Sequence, residues 1–191
     1  MASGKEKFDI LLVVDIQNDF FDGALYNENA LVIREDLVEE LEKKIEEGYE
    51  VFFTQDTHSD DYLNTMEGDK LPVEHCIKGT NGWELIDELK EIIKENGLEN
   101  HIIEKPTFGD KDLVKKLENI LESEGKSLDD VKSIRLFGVC TSICVLSNAL
   151  ILKAFVPEIE IEVDPKYSAC LTKESHDASI KAMETAQVKI V

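Results

Sequence analysis

Short apolar runs alternate along this chain with amphipathic stretches of helical spacing. The β-rich runs cover residues 8–14, 50–54, 101–104, 133–139, 159–163 and 188–191, and their length and near-continuous apolar character suit strands covered on both faces. Between them Leu37, Leu41 and Ile45 form one stripe, Leu85, Leu89, Ile92 and Ile93 a second, and Leu113, Leu117, Ile120 and Leu121 a third. Spacings of three and four place each set on one side of a helix. Gly48, Gly97 and Gly125 follow the stripes as C-terminal stops, and Asp110 and Thr172 stand where N-caps belong. A helix over 143–155 is apolar on most sides, which predicts burial.

Strand and helix in alternation with short joins predict an α/β fold of three layers, α/β/α, around a mostly parallel six-stranded sheet. Ligands of such sheets collect beyond the carboxyl ends of the strands. The 191 residues, 42% of them hydrophobic, suffice for one domain over 1–191, with 1–7 as a flexible N-terminal tail. A formal charge of −20 disfavours nucleic acid and acidic membrane surfaces as partners. The longest apolar runs are too short to span a bilayer and the start is polar, so the expected location is cytoplasmic. There the four cysteines, Cys76, Cys140, Cys144 and Cys170, are expected as reduced thiols. Neither a glycine-rich nucleotide fingerprint nor an internal repeat is present.

The candidate chemistry lies at the strand ends. Cys144 follows the run that ends at Gly138 and opens an apolar helical segment, where free backbone N–H groups favour a thiolate. Asp15 ends the first run, a position equally open to a turn residue and to an acid in a crevice. Phe20, shortly after it, is either a pocket wall or core packing. Lys105, held extended by Pro106, is an exposed turn charge or an ammonium beside Asp15 and Cys144. Asp56 and His58 share one side of an extended segment, and Glu67 and His75 follow in the next loop. That nitrogen-and-oxygen donor set suits zinc, manganese or iron, and is also what a solvated acidic loop contains. His101 and His176 read as structural or surface residues.

Asp15-Ile-Gln-Asn-Asp-Phe, Thr54-Gln-Asp-Thr-His58, Leu71-Pro-Val-Glu-His75-Cys76, Glu104-Lys105-Pro-x-Phe108 and Gly138-Val-Cys-Thr-Ser-Ile-Cys144-Val occur in this order. In these motifs the chain resembles the isochorismatase-like cysteine hydrolases, and within them the nicotinamidases and pyrazinamidases. The resemblance implies the hydrolase fold of that family and a catalytic triad of Asp15, Lys105 and Cys144. It implies one divalent metal ion, zinc foremost, on Asp56, His58 and His75, with Glu67 as a further ligand. It also implies a cis peptide between Val139 and Cys140, an oxyanion site made by the backbone N–H groups of Cys140 and Cys144, a small-molecule amide substrate in NAD metabolism, and a homo-oligomer. Ser142 stands where many members carry aspartate, and Leu71 where many carry a tryptophan that stacks on the substrate ring. The segment 164–169 is longer than the family pattern, and the cysteine at position 144 sets the chain apart from isochorismatase itself, which has glycine there.

Two rival readings use the same residues. One keeps the triad and changes the substrate to another small amide, carbamoyl or ureido compound. The other is non-catalytic and makes Cys140 and Cys144 a redox pair or metal clip, although a four-residue separation is wrong for the usual redox spacing.

Overall fold

Six parallel strands, β1 (Phe8–Val14), β2 (Glu50–Asp56), β3 (Ile102–Lys105), β4 (Val131–Val139), β5 (Glu160–Ala169) and β6 (Lys189–Ile190), lie in the order β3-β2-β1-β4-β5-β6. The structure is a computed structural model describing residues 7–191. Of the tail expected over 1–7, only Lys7 falls within the described residues. Among the described residues seven α-helices accompany the sheet: α1 (Asn18–Phe21), α2 (Glu28–Glu46), α3 (Met66–Lys70), α4 (Asp87–Asn96), α5 (Leu113–Ser123), α6 (Leu146–Phe155) and α7 (Lys173–Thr185).

Alternation along β1 divides the core. Ile10, Leu12 and Val14 pack with Leu113, Leu117 and Leu121 of α5, Ala149 and Leu152 of α6 and Met183 of α7. Leu11 and Val13 pack on the other side with Leu37 and Leu41 of α2 and Leu89, Ile92 and Ile93 of α4. A period of two in the strand and of three to four in the helices thus yields the expected three layers. Each fully buried leucine or isoleucine contributes about 1.5–3 kcal/mol. No helix of the described residues is long and apolar enough to cross a membrane.

The chain leaves β1 toward β2 and β3 on one side and returns to β4 on the other, so the strand order reverses between β1 and β4 while all strands stay parallel. Crevices open at such a reversal, beyond the carboxyl ends of the strands. Gly138 makes the two strands meet closely there: its φ is +136°, and a Cβ on it would lie 2.2 Å from the Val14 carbonyl oxygen. Only glycine accommodates that approach.

Several expected boundaries move. β2 and β3 run on to Asp56 and Lys105, because Gln55 pairs with Glu104 and Asp56 with Lys105 whatever their side chains. β5 continues to Ala169 through an irregularity. Val163 pairs with Leu136 and Ser168 with Gly138, so residues 164–167 bulge opposite Phe137. Thr172 caps α7 through the N–H of Ser175, but Asp110 does not cap α5. Its carboxylate accepts from the Asp112 N–H at 2.9 Å and from Lys116 at 2.6 Å, ahead of a helix that begins at Leu113.

The helix expected over 143–155 is a π-helical turn (Thr141–Val145) followed by α6. It is not buried on most sides: Ala149 and Leu152 face the sheet, while Leu150 and Phe155 are 38% and 64% exposed. A terminal layer of a three-layer fold has only one side to bury. His101 is structural, stacked on Phe52 and bonded to the Val51 carbonyl and Glu124.

Candidate active site and metal centre

Three strand ends converge on one ammonium. Lys105, the last residue of edge strand β3, extends across β2 and is fully buried. Its Nζ lies 2.7 Å from Asp15 Oδ2, 3.1 Å from Asp56 Oδ1, 3.2 Å from the Thr107 carbonyl oxygen and 3.6 Å from Cys144 Sγ. Asp15 follows β1 with φ +52°, a left-handed conformation uncommon outside glycine and typical of functional sites when it persists. The Thr54 hydroxyl donates to Asp15 Oδ1 at 2.7 Å, and the Asp15 N–H donates to the Thr54 carbonyl. Asp15 Oδ2 has no well-angled hydrogen bond, only the Lys105 ammonium beside it.

Cys144 lies in the π-helical turn after β4, 6% exposed. The peptide bond between Val139 and Cys140 is cis, and the Cys140 carbonyl accepts from the N–H groups of Ile143 and Val145. Asn148 ties the start of α6 to the Lys105 loop through the carbonyls of Cys144 and Phe108 and the N–H of Asp110. Such turns within helices recur at functional positions.

Protonation follows from burial. Burial raises the Asp15 carboxyl above its ordinary value, aided by Asp56 and opposed by Lys105. Burial also lifts the Cys144 thiol well above its ordinary value, with the Asp15 and Asp56 carboxylates adding to it and Lys105 opposing. Burial and the two carboxylates thus favour the thiol, against the thiolate that a helix start alone would favour. Desolvation would lower Lys105, but the Asp15 and Asp56 carboxylates outweigh it and keep the ammonium charged.

Asp56 joins this cluster to a second one. Its Oδ2 faces His58 Nε2 at 3.1 Å and His75 Nε2 at 3.6 Å. Candidate ligand atoms of Asp56, His58 and His75 all lie within 4.8 Å of one another, and all three side chains are buried. His75 Nδ1 donates to the Val73 carbonyl at 2.9 Å, which leaves the Nε2 lone pair turned inward. Glu67 Oε1 is buried without a hydrogen bond, 3.7 Å from His58 Nε2 and 3.9 Å from His75 Nε2. Inward-facing lone pairs on Asp56, Glu67 and His75 repel one another unless a cation sits among them, so the residues fit a divalent metal ion. Burial would raise Asp56, but Lys105 and the two imidazoles hold it well below the carboxylate range, ready to ligate.

Several supports were not legible as candidates. Tyr62 is buried with its ring 4.7 Å from that of His58 and 4.9 Å from that of His75, and its hydroxyl donates to the Leu71 carbonyl. Gln17 grips the Asp56 backbone from both sides: its Nε2 donates to the carbonyl at 2.8 Å and its Oε1 accepts from the N–H at 2.7 Å. Asp19 accepts from the Cys76 N–H at 2.6 Å and so fixes the residue after His75, where φ is +46°. The available signal was a run of polar residues directly after a buried strand.

Other candidates are placed less centrally. Phe20 is half-buried and presents its ring edge-on to His75 at 6.3 Å. Leu71, 36% exposed, is held at its carbonyl by Tyr62. Ser142 turns toward Cys170, with Oγ 2.9 Å from its Sγ. Cys140 and Cys144 are not a sulfur pair: Cys140 contacts Cys170 at 2.9 Å, while Cys144 faces Lys105. The π-helical turn aims the two side chains apart.

A search of curated proteins by sequence found no match. Among solved structures the chain is similar to a nicotinamidase from Bacillus subtilis, at 26% identity over 96% of this chain and 98% of that one, with a TM-score of 0.77. It is similar to a pyrazinamidase of Pyrococcus horikoshii in complex with zinc, at 25% identity, 96% and 98% coverage and a TM-score of 0.72. An N-carbamoylsarcosine amidase from Thermoplasma acidophilum shares the fold at 21% identity, 96% and 95% coverage and a TM-score of 0.69. The family model described as the isochorismatase domain matches residues 9–191. That match runs from the second residue of β1 through β6, and the chain belongs to the isochorismatase family.

Proposed function

We propose that this chain, acting as one domain, is a cysteine amidohydrolase that converts nicotinamide to nicotinate and ammonia. The observation that carries the reading is the meeting of Asp15 and Cys144 at the ammonium of Lys105, 2.7 and 3.6 Å away. An acid with a raised pKa beside a buried thiol suits a base that takes a proton and later returns it.

In this mechanism Asp15 accepts the Cys144 proton as the sulfur attacks the amide carbonyl, and Lys105 offsets the charge that builds on sulfur. The tetrahedral oxygen faces the backbone N–H groups of Cys140 and Cys144, each worth roughly 3 kcal/mol in such a role. Asp15 returns its proton to the departing nitrogen. Ammonia leaves, a Cys144 thioester remains, and water hydrolyses it to the acid and the free thiol. A divalent ion, zinc by preference, held by Asp56, His58, Glu67 and His75 would supply a Lewis-acidic anchor for a ring nitrogen lone pair. Phe20 and Leu71 would wall the pocket.

A different small amide, carbamoyl or ureido substrate is the second reading, favoured by an aliphatic Leu71 at the pocket rim. Ammonia release from nicotinamide, measured beside a panel of such amides, tests both. Preference for nicotinamide supports the first reading. Turnover confined to another member of the panel overturns it, and no turnover of any amide by metal-loaded protein overturns both.

A further inference from the structure

Cys140 and Cys170 stand just past the ends of neighbouring strands. Val139 pairs with Ala169 in the β4–β5 register, so the next residue on each strand faces the other across a spacing of about 4.8 Å. Disulfides span Cα separations of about 4.4–6.8 Å. The two sulfurs lie 2.9 Å apart as free thiols, and theirs is the only sulfur–sulfur contact among the described residues.

The surroundings differentiate the two. Ser142 Oγ lies 2.9 Å from Cys170 Sγ and 3.6 Å from Cys140 Sγ. Burial would raise the Cys170 thiol, but its hydrogen bonds with Cys140, Ser142 and the Thr172 backbone outweigh it and hold the group below its ordinary value. Burial, with Cys170 beside it, pushes Cys140 up. Cys170, 4% exposed, borders a surface cavity of about 300 Å³ together with Asn29, Lys173 and His176, the side from which a small oxidant would reach it. A thiolate-leaning sulfur on an open cavity next to a protonated one is the arrangement of an attacking and a resolving thiol.

We propose that Cys140 and Cys170 are a modification site, a thiol pair that a hydroperoxide converts reversibly to a disulfide. The Cys170 thiolate attacks the peroxide, the O–O bond breaks, and the leaving oxygen takes a proton to become an alcohol or water. Cys170 is now a sulfenic acid. The Cys140 sulfur attacks it, the S–S bond forms, the S–O bond breaks, and water leaves with the Cys140 proton. Two thiols have lost two electrons and the peroxide has gained them. A dithiol restores both by exchange. This chemistry does not require that the chain hydrolyse amides.

Fully reduced protein treated with graded hydrogen peroxide, alkylated and mapped by mass spectrometry tests the proposal. The expected result is joint loss of alkylation at residues 140 and 170, a cross-linked peptide joining them, and full recovery with dithiothreitol. In Cys140→Ser the bridge is lost and Cys170 is trapped as a sulfenic acid by dimedone. In Cys170→Ser, Cys140 stays alkylatable at the same peroxide dose. A bridge between other cysteines, or peroxide that oxidises Cys144 while residues 140 and 170 both remain alkylatable, overturns it. The wild-type map decides the matter even where a serine variant fails to fold.

Discussion

Lys105 holds Asp56 by Oδ1 at 3.1 Å while the other oxygen of that carboxylate faces His58 and His75. One side chain thus belongs to the thiol cluster and to the metal group at once. Asp56→Asn should lower bound metal and amide turnover together, with kcat/KM down about a hundredfold or more, about 3 kcal/mol. Metal analysis alongside ammonia release checks this. Loss of one with the other retained would show the two groups to be independent, and normal metal content with normal turnover would remove Asp56 from both.

A chelator tests the contribution proposed for a bound divalent ion. If it anchors the ring, dialysis against a chelator raises KM about tenfold or more while kcat falls less, and added zinc reverses the change. Steady-state kinetics on the two forms separates the effects. An unchanged KM would remove the ion from substrate binding.

Cys144→Ala should abolish ammonia release and leave the fold intact. Deleting one buried sulfur costs about 1 kcal/mol, a Tm change of about 2–4 °C for a chain of this size. Calorimetry and the ammonia assay on one preparation decide it, and appreciable turnover by the alanine variant would make Cys144 the wrong nucleophile.

Gly138→Ala should destabilise the protein by about 3 kcal/mol or more, because the new methyl meets the Val14 carbonyl and the backbone there is left-handed. Thermal unfolding reads this directly. A Tm within 2 °C of the parent, the order of ~1 kcal/mol, would mean that β1 and β4 can separate at no cost.

Glu162 supplies a pH dependence outside the site. Burial would raise it, but hydrogen bonds from Lys189 and Arg135 prevail and hold its carboxyl below the ordinary 4.5. A lowered folded value means that its stabilisation is fully present above about pH 4.5 and disappears as pH falls through the folded value. Glu162→Gln should therefore cost about 1–2 kcal/mol at pH 7 and progressively less below pH 4. Denaturant titrations of both proteins across that range measure the difference, and a gap that does not shrink on acidification contradicts the assignment.

The apolar stripes and strand runs carried the architecture because each period has one solution: β1 alternates, α4 and α5 repeat every three to four residues, and the layers follow. Asp15, Lys105 and Cys144 could be located at strand ends for the same reason. Their convergence depended on pairing, which periodicity does not encode. Asp56 opposite Lys105 is a register fact, and it extended both strands beyond their apolar portions. The roles of Gln17 and Asp19 were hidden because a glutamine or aspartate after a strand looks the same whether it grips a distant backbone or meets water. Burial on the outer side of α6 was overstated because composition gives hydrophobicity but not how many layers lie outside it.

The reversal of strand order at β1 has a consequence for how activity is acquired. Lys105 arrives from one margin of the sheet, Asp15 from its middle and the Cys144 turn from the opposite half, so no fragment shorter than residues 15–144, which takes in β2, β3 and β4, holds all three. Ammonia release during refolding should then lag behind recovery of far-ultraviolet circular dichroism, since catalysis waits for both halves to assemble around a common strand.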